Sequence, residues 1–122
     1  FSLPPAELAL LSVFARRALR EEPPLPAPPK DSPDLDWAER YLAELRRIAG
    51  SMGDLDETER ALRKGMDGGY FSTHLSKLRK IIKRELDPGA EPYLISDSGT
   101  RPRRYSLNLH PTALYYAKAD MA

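Results

Sequence analysis

Apolar residues recur every three or four positions near the start of the chain, which is the spacing of one helix face. Leu8, Leu11, Ala15 and Leu19 form this stripe and predict a first helix over residues 4–20. The two prolines at its start fit the first turn of a helix, because the amides of that turn have no partner within the helix. The chain therefore opens with an amphipathic helix.

A proline-rich segment follows over residues 21–33, where six of the thirteen residues are proline. Proline lacks an amide donor, so this composition excludes a helix or an inner strand. We predict an extended, polyproline-like connector on the surface. A role as a ligand of signalling domains is the less favoured alternative, because the motif is not repeated.

The helical spacing returns within residues 34–69, where two helices are predicted. Trp37, Tyr41, Leu45 and Ile48 form the apolar face of the first helix. Aromatic residues at this spacing could also form a platform for stacking bases, but a place in the core is the favoured interpretation.

The second of these helices is shorter. Asp56 followed three residues later by Glu59 has the spacing of a capping box, and Leu62 and Met66 would be its apolar contacts. The glycine pair at residues 68–69 is expected to end it.

Residues 72–86 carry the most informative pattern of the chain. Phe71, Leu75, Leu78 and Ile82 predict one buried helix face, with Ser72 as the N-cap. The opposite face mixes hydroxyl groups with cations, and its width suits the major groove of DNA. A lysine-rich face that only contacts solvent is the alternative. The candidate nucleic-acid-binding residues of this helix are Thr73, Ser76, Lys77, Lys80, Lys83 and Arg84.

A β-hairpin is predicted over residues 93–109, because apolar and polar residues alternate in its second half around a turn-rich centre. Its tip holds Arg101, Arg103 and Arg104, which we predict to contact nucleic acid as well. A last helix is expected over residues 111–122, where an apolar run could instead serve a protein partner or a second copy of the chain.

Charge divides the chain in two, although the net charge of all 122 residues is only +1. Residues 1–69 sum to −3 and residues 70–122 to +4. A concentrated cationic segment favours an anionic partner, with nucleic acid first and duplex DNA as the preferred form.

Composition argues against an enzyme. Cysteine is absent and only His74 and His110 could supply an imidazole, so thiol chemistry, disulfides and cysteine-ligated metals are excluded. His74 could act as a nuclease base, but no carboxylate cluster accompanies it. We expect no catalytic residues, no metal and no cofactor. The longest apolar runs are too short to span a membrane, and a cytoplasmic location is expected.

The basic helix and the hairpin together resemble a known pattern. HLSKLRKIIKREL followed by PYLISDSGTRPRRYSL is similar to the recognition helix and wing of OmpR-type winged helix-turn-helix domains. The resemblance implies a mainly α fold with a small β-hairpin, a winged helix. It also implies that Thr73, His74, Ser76, Lys77 and Lys80 face DNA, with the three arginines of the hairpin tip in the wing. The proline-rich connector and the extra helix near residues 56–66 depart from that plan.

The whole chain also resembles the C-terminal region of CRISPR-associated proteins that carry an N-terminal CARF domain, on the LPPAELALL opening and the PYLI and RYSL segments. This resemblance implies a larger protein in antiviral defence whose sensing domain precedes Phe1. Two functions remain open from the sequence. One is a non-catalytic nucleic-acid-binding module, and the other is a winged helix for dimerisation or another protein contact.

Overall fold

The computed structural model describes residues 3–49, 53–86, 89–90, 93–99 and 103–107. These residues form a mainly helical fold with a small antiparallel sheet, as the sequence pattern predicts. The elements in chain order are α1 (Pro5–Leu19), β1 (Leu25–Pro26), α2 (Leu35–Ala49), α3 (Gly53–Ala61), α4 (Gly68–Leu86), β2 (Ile95–Asp97) and β3 (Arg104–Leu107).

The sheet has the strand order β1-β3-β2, with both pairings antiparallel. β2 and β3 form the predicted hairpin, in which Ile95 lies opposite Leu107. On its other side β3 pairs with β1, which places Leu25 opposite Tyr105. The hairpin is thereby joined to the segment between α1 and α2.

The proline-rich connector does more than span the surface, because it supplies β1. Leu25 is only 6% exposed, and the indole Nε1 of Trp37 donates a hydrogen bond of 2.8 Å to the carbonyl of Pro26. The prediction that this segment forms no inner strand is confirmed, because β1 lies at the edge of the sheet. Proline is tolerated at an edge because the missing amide removes no hydrogen bond between inner strands.

Aromatic rings from four elements form the centre of the core. The ring centroid of Trp37 lies 5.8 Å from that of Phe14 and 5.2 Å from that of Phe71. The ring of Tyr105 contacts Phe71 at 5.1 Å in an edge-on arrangement. Trp37 and Tyr41 are almost completely buried, which agrees with the core role and leaves no face for stacking bases.

Two predictions about the start of α4 are wrong. The helix begins at Gly68, and its N-cap is Asp67, whose carboxylate accepts a hydrogen bond of 2.8 Å from the amide of Tyr70. Ser72 therefore lies inside the helix, and the glycine pair starts α4 where it was expected to end α3. Gly68 lies so close to the connector that an added Cβ would stand 3.0 Å from the Cα of Lys30, which explains its small size.

The predicted capping box of α3 is also wrong. Because α3 begins at Gly53, Asp56 and Glu59 both lie within the helix. The Glu59 carboxylate instead accepts a hydrogen bond of 3.0 Å from Arg46 of α2. This contact is exposed and fastens α3 to α2 only weakly.

Three predictions fall on residues outside the described ranges: the position of Arg101, the end of the hairpin at residues 108–109, and the last helix at residues 111–122. In the part of the chain that is described, none of the helices combines the length and the apolar character needed to cross a bilayer.

Candidate nucleic-acid interface

The orientation of α4 is fixed by its apolar face. Phe71, Leu75, Leu78 and Ile82 are all buried in the core, as the sequence predicts. A helix turns by about 100° per residue, so Lys80 lies on the opposite side, away from the rest of the protein. The outward face is therefore set by packing and not by the charges themselves.

All six predicted binding residues of α4 are exposed, and five of them form no ion pair with an acid among the described residues. The sixth, Arg84, lies 3.4 Å from Glu85, but its side chain is 71% exposed. An ion pair in that setting contributes little. Glu85 is also the only acid of α4, so the outward face keeps a strong positive charge.

The hairpin is fastened along one flank of α4 by Arg79. The guanidinium of this residue donates two hydrogen bonds to the carbonyl of Ile95, from Nη2 at 2.7 Å and from Nε at 3.1 Å. Further along, Tyr105 contacts Phe71 near the start of α4. These two contacts place the described part of the hairpin along α4, from the middle of the helix toward its beginning.

The hairpin turn presents two of the predicted arginines. Arg103 and Arg104 are both exposed. Gly99 has a φ of 75°, which favours glycine, and its amide donates a hydrogen bond of 2.8 Å to the carboxylate of Asp97. The amide of Ser98 donates to the carbonyl of Arg104 at 3.0 Å and closes the turn. These hydrogen bonds hold the described residues on both sides of the turn.

His74 does not belong to this surface, although the OmpR-type resemblance places it toward DNA. Its side chain is only 17% exposed, and its Nδ1 lies 3.3 Å from a carboxylate oxygen of Glu7 in α1. The ring of Tyr70 covers it at a centroid distance of 4.3 Å. His74 therefore joins α4 to α1 and is not placed as an exposed nuclease base.

A pair of tyrosines, Tyr41 of α2 and Tyr70 of α4, joins α4 to the neighbouring helices. The hydroxyl of Tyr41 donates a hydrogen bond of 3.0 Å to the carbonyl of Ala6, and it lies 3.3 Å from the hydroxyl of Tyr70. Burial raises the pKa of Tyr41 strongly and that of Tyr70 in the same direction. Both phenols therefore stay neutral to a higher pH than an exposed tyrosine does, and their hydrogen bonds hold α4 against α1 and α2.

Sequence analysis missed the two residues that position this surface, Arg79 and Glu7. Arg79 stood within a run of cations and could not be told apart from them by type. Glu7 is buried at the start of α1, and its partner is 67 residues away in the chain. A lone acid within an apolar stripe was the only available signal.

Metal chemistry has no support within the described ranges, because they hold no group of three or more histidine or acidic side chains arranged around a common point. Comparisons of the chain with protein-family models, with curated proteins and with solved structures found no match.

Proposed function

We propose that the chain is a winged-helix module that binds nucleic acid without catalysing a reaction, with duplex DNA as the preferred ligand. In this proposal α4 is the recognition helix and the β2–β3 hairpin is the wing. The order of the elements supports it, because the helices come first, the basic helix follows, and a basic hairpin comes directly after that helix. The pairing of β1 with β3 joins the wing to the body of the fold.

The observation that carries the proposal is that two elements with exposed cations, α4 and the hairpin, contact each other. α4 contributes an outward face of exposed cations, and Arg79 holds the hairpin beside it. The hairpin adds Arg103 and Arg104, and Arg101 is expected to extend the same surface. Lysine and arginine side chains on a helix and a neighbouring hairpin supply the kind of contacts that position a protein on the phosphates of a duplex.

Within this surface the residues have different roles. The N-terminal half of a recognition helix contacts base edges, so Thr73, Ser76 and Lys77 would read the major groove. Lys80, Lys83 and Arg84 lie further along the helix and would meet phosphates, and the Lys77 ammonium at the edge of the groove would meet one as well. Most of the affinity then comes from the attraction between cations and phosphates. Sequence specificity would be low, because only a few side chains contact the bases.

A binding assay tests the proposal directly. Fluorescence anisotropy with a labelled duplex should show tight binding by the wild type and clear weakening in the double variant Lys77→Ala/Lys80→Ala. The matched control is Arg60→Ala/Arg63→Ala, which removes the same charge from exposed positions of α3 and the turn after it. We expect the control to bind like the wild type. Equal affinity of both variants would exclude α4 as the binding element.

The wider context also belongs to the proposal. The resemblance to CARF-domain proteins suggests a module of a larger CRISPR-associated or transcription-regulatory protein, in which a preceding domain senses a ligand and this one binds nucleic acid in the cytoplasm. The competing idea of a dimerisation module depends on residues 113–117, which lie outside the described ranges. A concentration-independent monomer in light scattering that still binds duplex DNA would favour the nucleic-acid module.

A further inference from the structure

A second positive feature lies away from α4, in the cleft between α1 and α2. Its volume is about 200 Å³. The lining residues recur every three or four positions on both helices, so one face of α1 lies opposite one face of α2 across the cleft. We name it the arginine cleft, after Arg16, Arg17, Arg20, Arg40 and Arg47.

The arginine cleft carries a net charge of +3, because only two carboxylates, Glu22 and Glu44, stand among its five guanidinium groups. Glu44 is buried and is shared by two arginines. It accepts hydrogen bonds from Arg16, of which the shorter is 2.6 Å, and lies 3.2 Å from Arg47. These contacts fix the base of the cleft and leave most of its charge uncompensated.

The other arginines show where that charge is available. Within the described part of the chain, Arg20 and Arg40 have no ion-pair partner, and both are exposed. Arg17 is held by Glu22 at 2.9 Å and by the carbonyl of Pro23 at 2.7 Å. The cleft therefore combines two anchored guanidinium groups on α1 with two free ones at its rim.

Arg17 also holds a donor that lacks an acceptor. Its Nε is completely buried and has no hydrogen-bond partner among the described residues. A buried donor that is left unpaired is costly, and such groups are rare in folded proteins. The lining of the cleft therefore includes a donor whose hydrogen-bonding capacity the fold leaves unused.

We propose that the arginine cleft binds a small multivalent phosphate anion. The planar fork of arginine matches two oxygens of a phosphate group, and several arginines around one cleft favour an anion with more than one charge. The volume limits the size, because pockets for ligands of drug size measure about 300–1,000 Å³. The cleft therefore fits a diphosphate group better than a whole nucleotide.

Calorimetric titration of the intact chain with pyrophosphate tests this proposal, with inorganic phosphate as a second titrant. We expect pyrophosphate to bind more tightly than inorganic phosphate at constant ionic strength. In Arg20→Gln/Arg40→Gln the affinity should fall by about tenfold or more, because each guanidinium supplies charge-assisted hydrogen bonds. Both residues are exposed and unpaired, so the variant should fold like the wild type, and circular dichroism checks that it does.

The control is Arg60→Gln/Arg63→Gln, which changes the charge equally outside the arginine cleft and should keep pyrophosphate affinity within about twofold, since long-range charge effects are screened by salt. An absence of pyrophosphate binding to the wild type would overturn the proposal, as would equal losses in the two double variants.

Duplex binding by the same variants separates this site from the surface on α4. We expect Arg20→Gln/Arg40→Gln to keep its affinity for duplex DNA while it loses pyrophosphate. If the variant loses duplex binding and the wild type does not bind pyrophosphate, then the arginine cleft belongs to the nucleic-acid surface and the small-ligand proposal is wrong. The effect of Lys77→Ala/Lys80→Ala on duplex binding tests the surface on α4 separately, whether or not the arginine cleft binds pyrophosphate.

Discussion

Salt dependence gives the most quantitative test of the positive surface on α4 and the hairpin. Each protein cation that neutralises a phosphate of duplex DNA releases counterions and contributes about −0.9 to the slope of log affinity against log salt concentration. Six described cations are exposed on the surface, so the slope should reach about −5 if all of them contact phosphates. These six are Lys77, Lys80, Lys83, Arg84, Arg103 and Arg104.

The double variant Lys77→Ala/Lys80→Ala removes two of these contacts, and the slope should become shallower by about 1.8. The same relation predicts how the loss of affinity depends on salt. The variant should bind about 30-fold more weakly than the wild type at 0.15 M salt and about 200-fold more weakly at 0.05 M. The affinities of the wild type and the variant for the duplex should become nearly equal near 1 M salt.

Anisotropy titrations at four or more salt concentrations measure both slopes. Lys77→Gln/Lys80→Gln serves as a second variant that keeps the length and polarity of the side chains, and it should follow the alanine variant. Parallel lines for the wild type and both variants would refute the argument, because they would show that neither lysine contacts a phosphate. A wild-type slope near zero would refute it more generally.

Three further predictions concern the scaffold. Glu44→Gln should lower the free energy of unfolding by about 2 kcal/mol in urea denaturation, because it leaves partly buried arginines without their carboxylate. The control is Glu39→Gln, at an exposed position of the same helix, which should change the free energy of unfolding by less than about 0.5 kcal/mol. Arg79→Lys should speed hydrogen exchange in the hairpin, since one ammonium group does not reproduce the two bonds to Ile95. Unchanged exchange would show that Arg79 does not fasten the hairpin. Stability should fall as the pH rises above about 10, because burial raises the pKa values of Tyr41 and Tyr70 in the folded state, whereas tyrosine in the unfolded chain ionises near that pH. Absorbance at 295 nm, which follows the ionisation of tyrosine, checks this. Ionisation of these two phenols near pH 10 without unfolding would contradict the prediction.

The fold was predictable from sequence where packing follows a local period. The apolar stripe of α4 and the alternation in β3 each assigned a buried face without knowledge of any other element. The cations of α4 followed directly, since they occupy the remaining positions. The outward face of α4 was therefore predictable from the sequence.

The errors arose where contacts are distant in the chain. Gly68 is small because the connector passes close to it, a packing reason that local turn rules do not contain. Leu25 enters the sheet only because Tyr105 lies opposite it, 80 positions later. Similarly, Arg79 and Lys80 are adjacent cations, and only the position of Ile95 makes one an anchor and leaves the other free.

The arginine cleft shows the same limit. Its residues fall at equal spacing on α1 and α2, but this spacing has meaning only once the two helices are known to face each other. Each helix on its own shows only a row of charged positions. The buried position of Glu44 between an arginine of α1 and an arginine of α2 is what shows that the two rows meet.

The central claim is that α4 and the hairpin form one surface for a polyanion. Titration of the ¹⁵N-labelled chain with duplex DNA, followed by two-dimensional NMR, tests it most directly. We predict that amide signals of residues 73–84 and of residues 103–104 shift along one common binding curve, while those of α3 stay in place. Shifts confined to other elements, or separate curves for the helix and the hairpin, would contradict the claim.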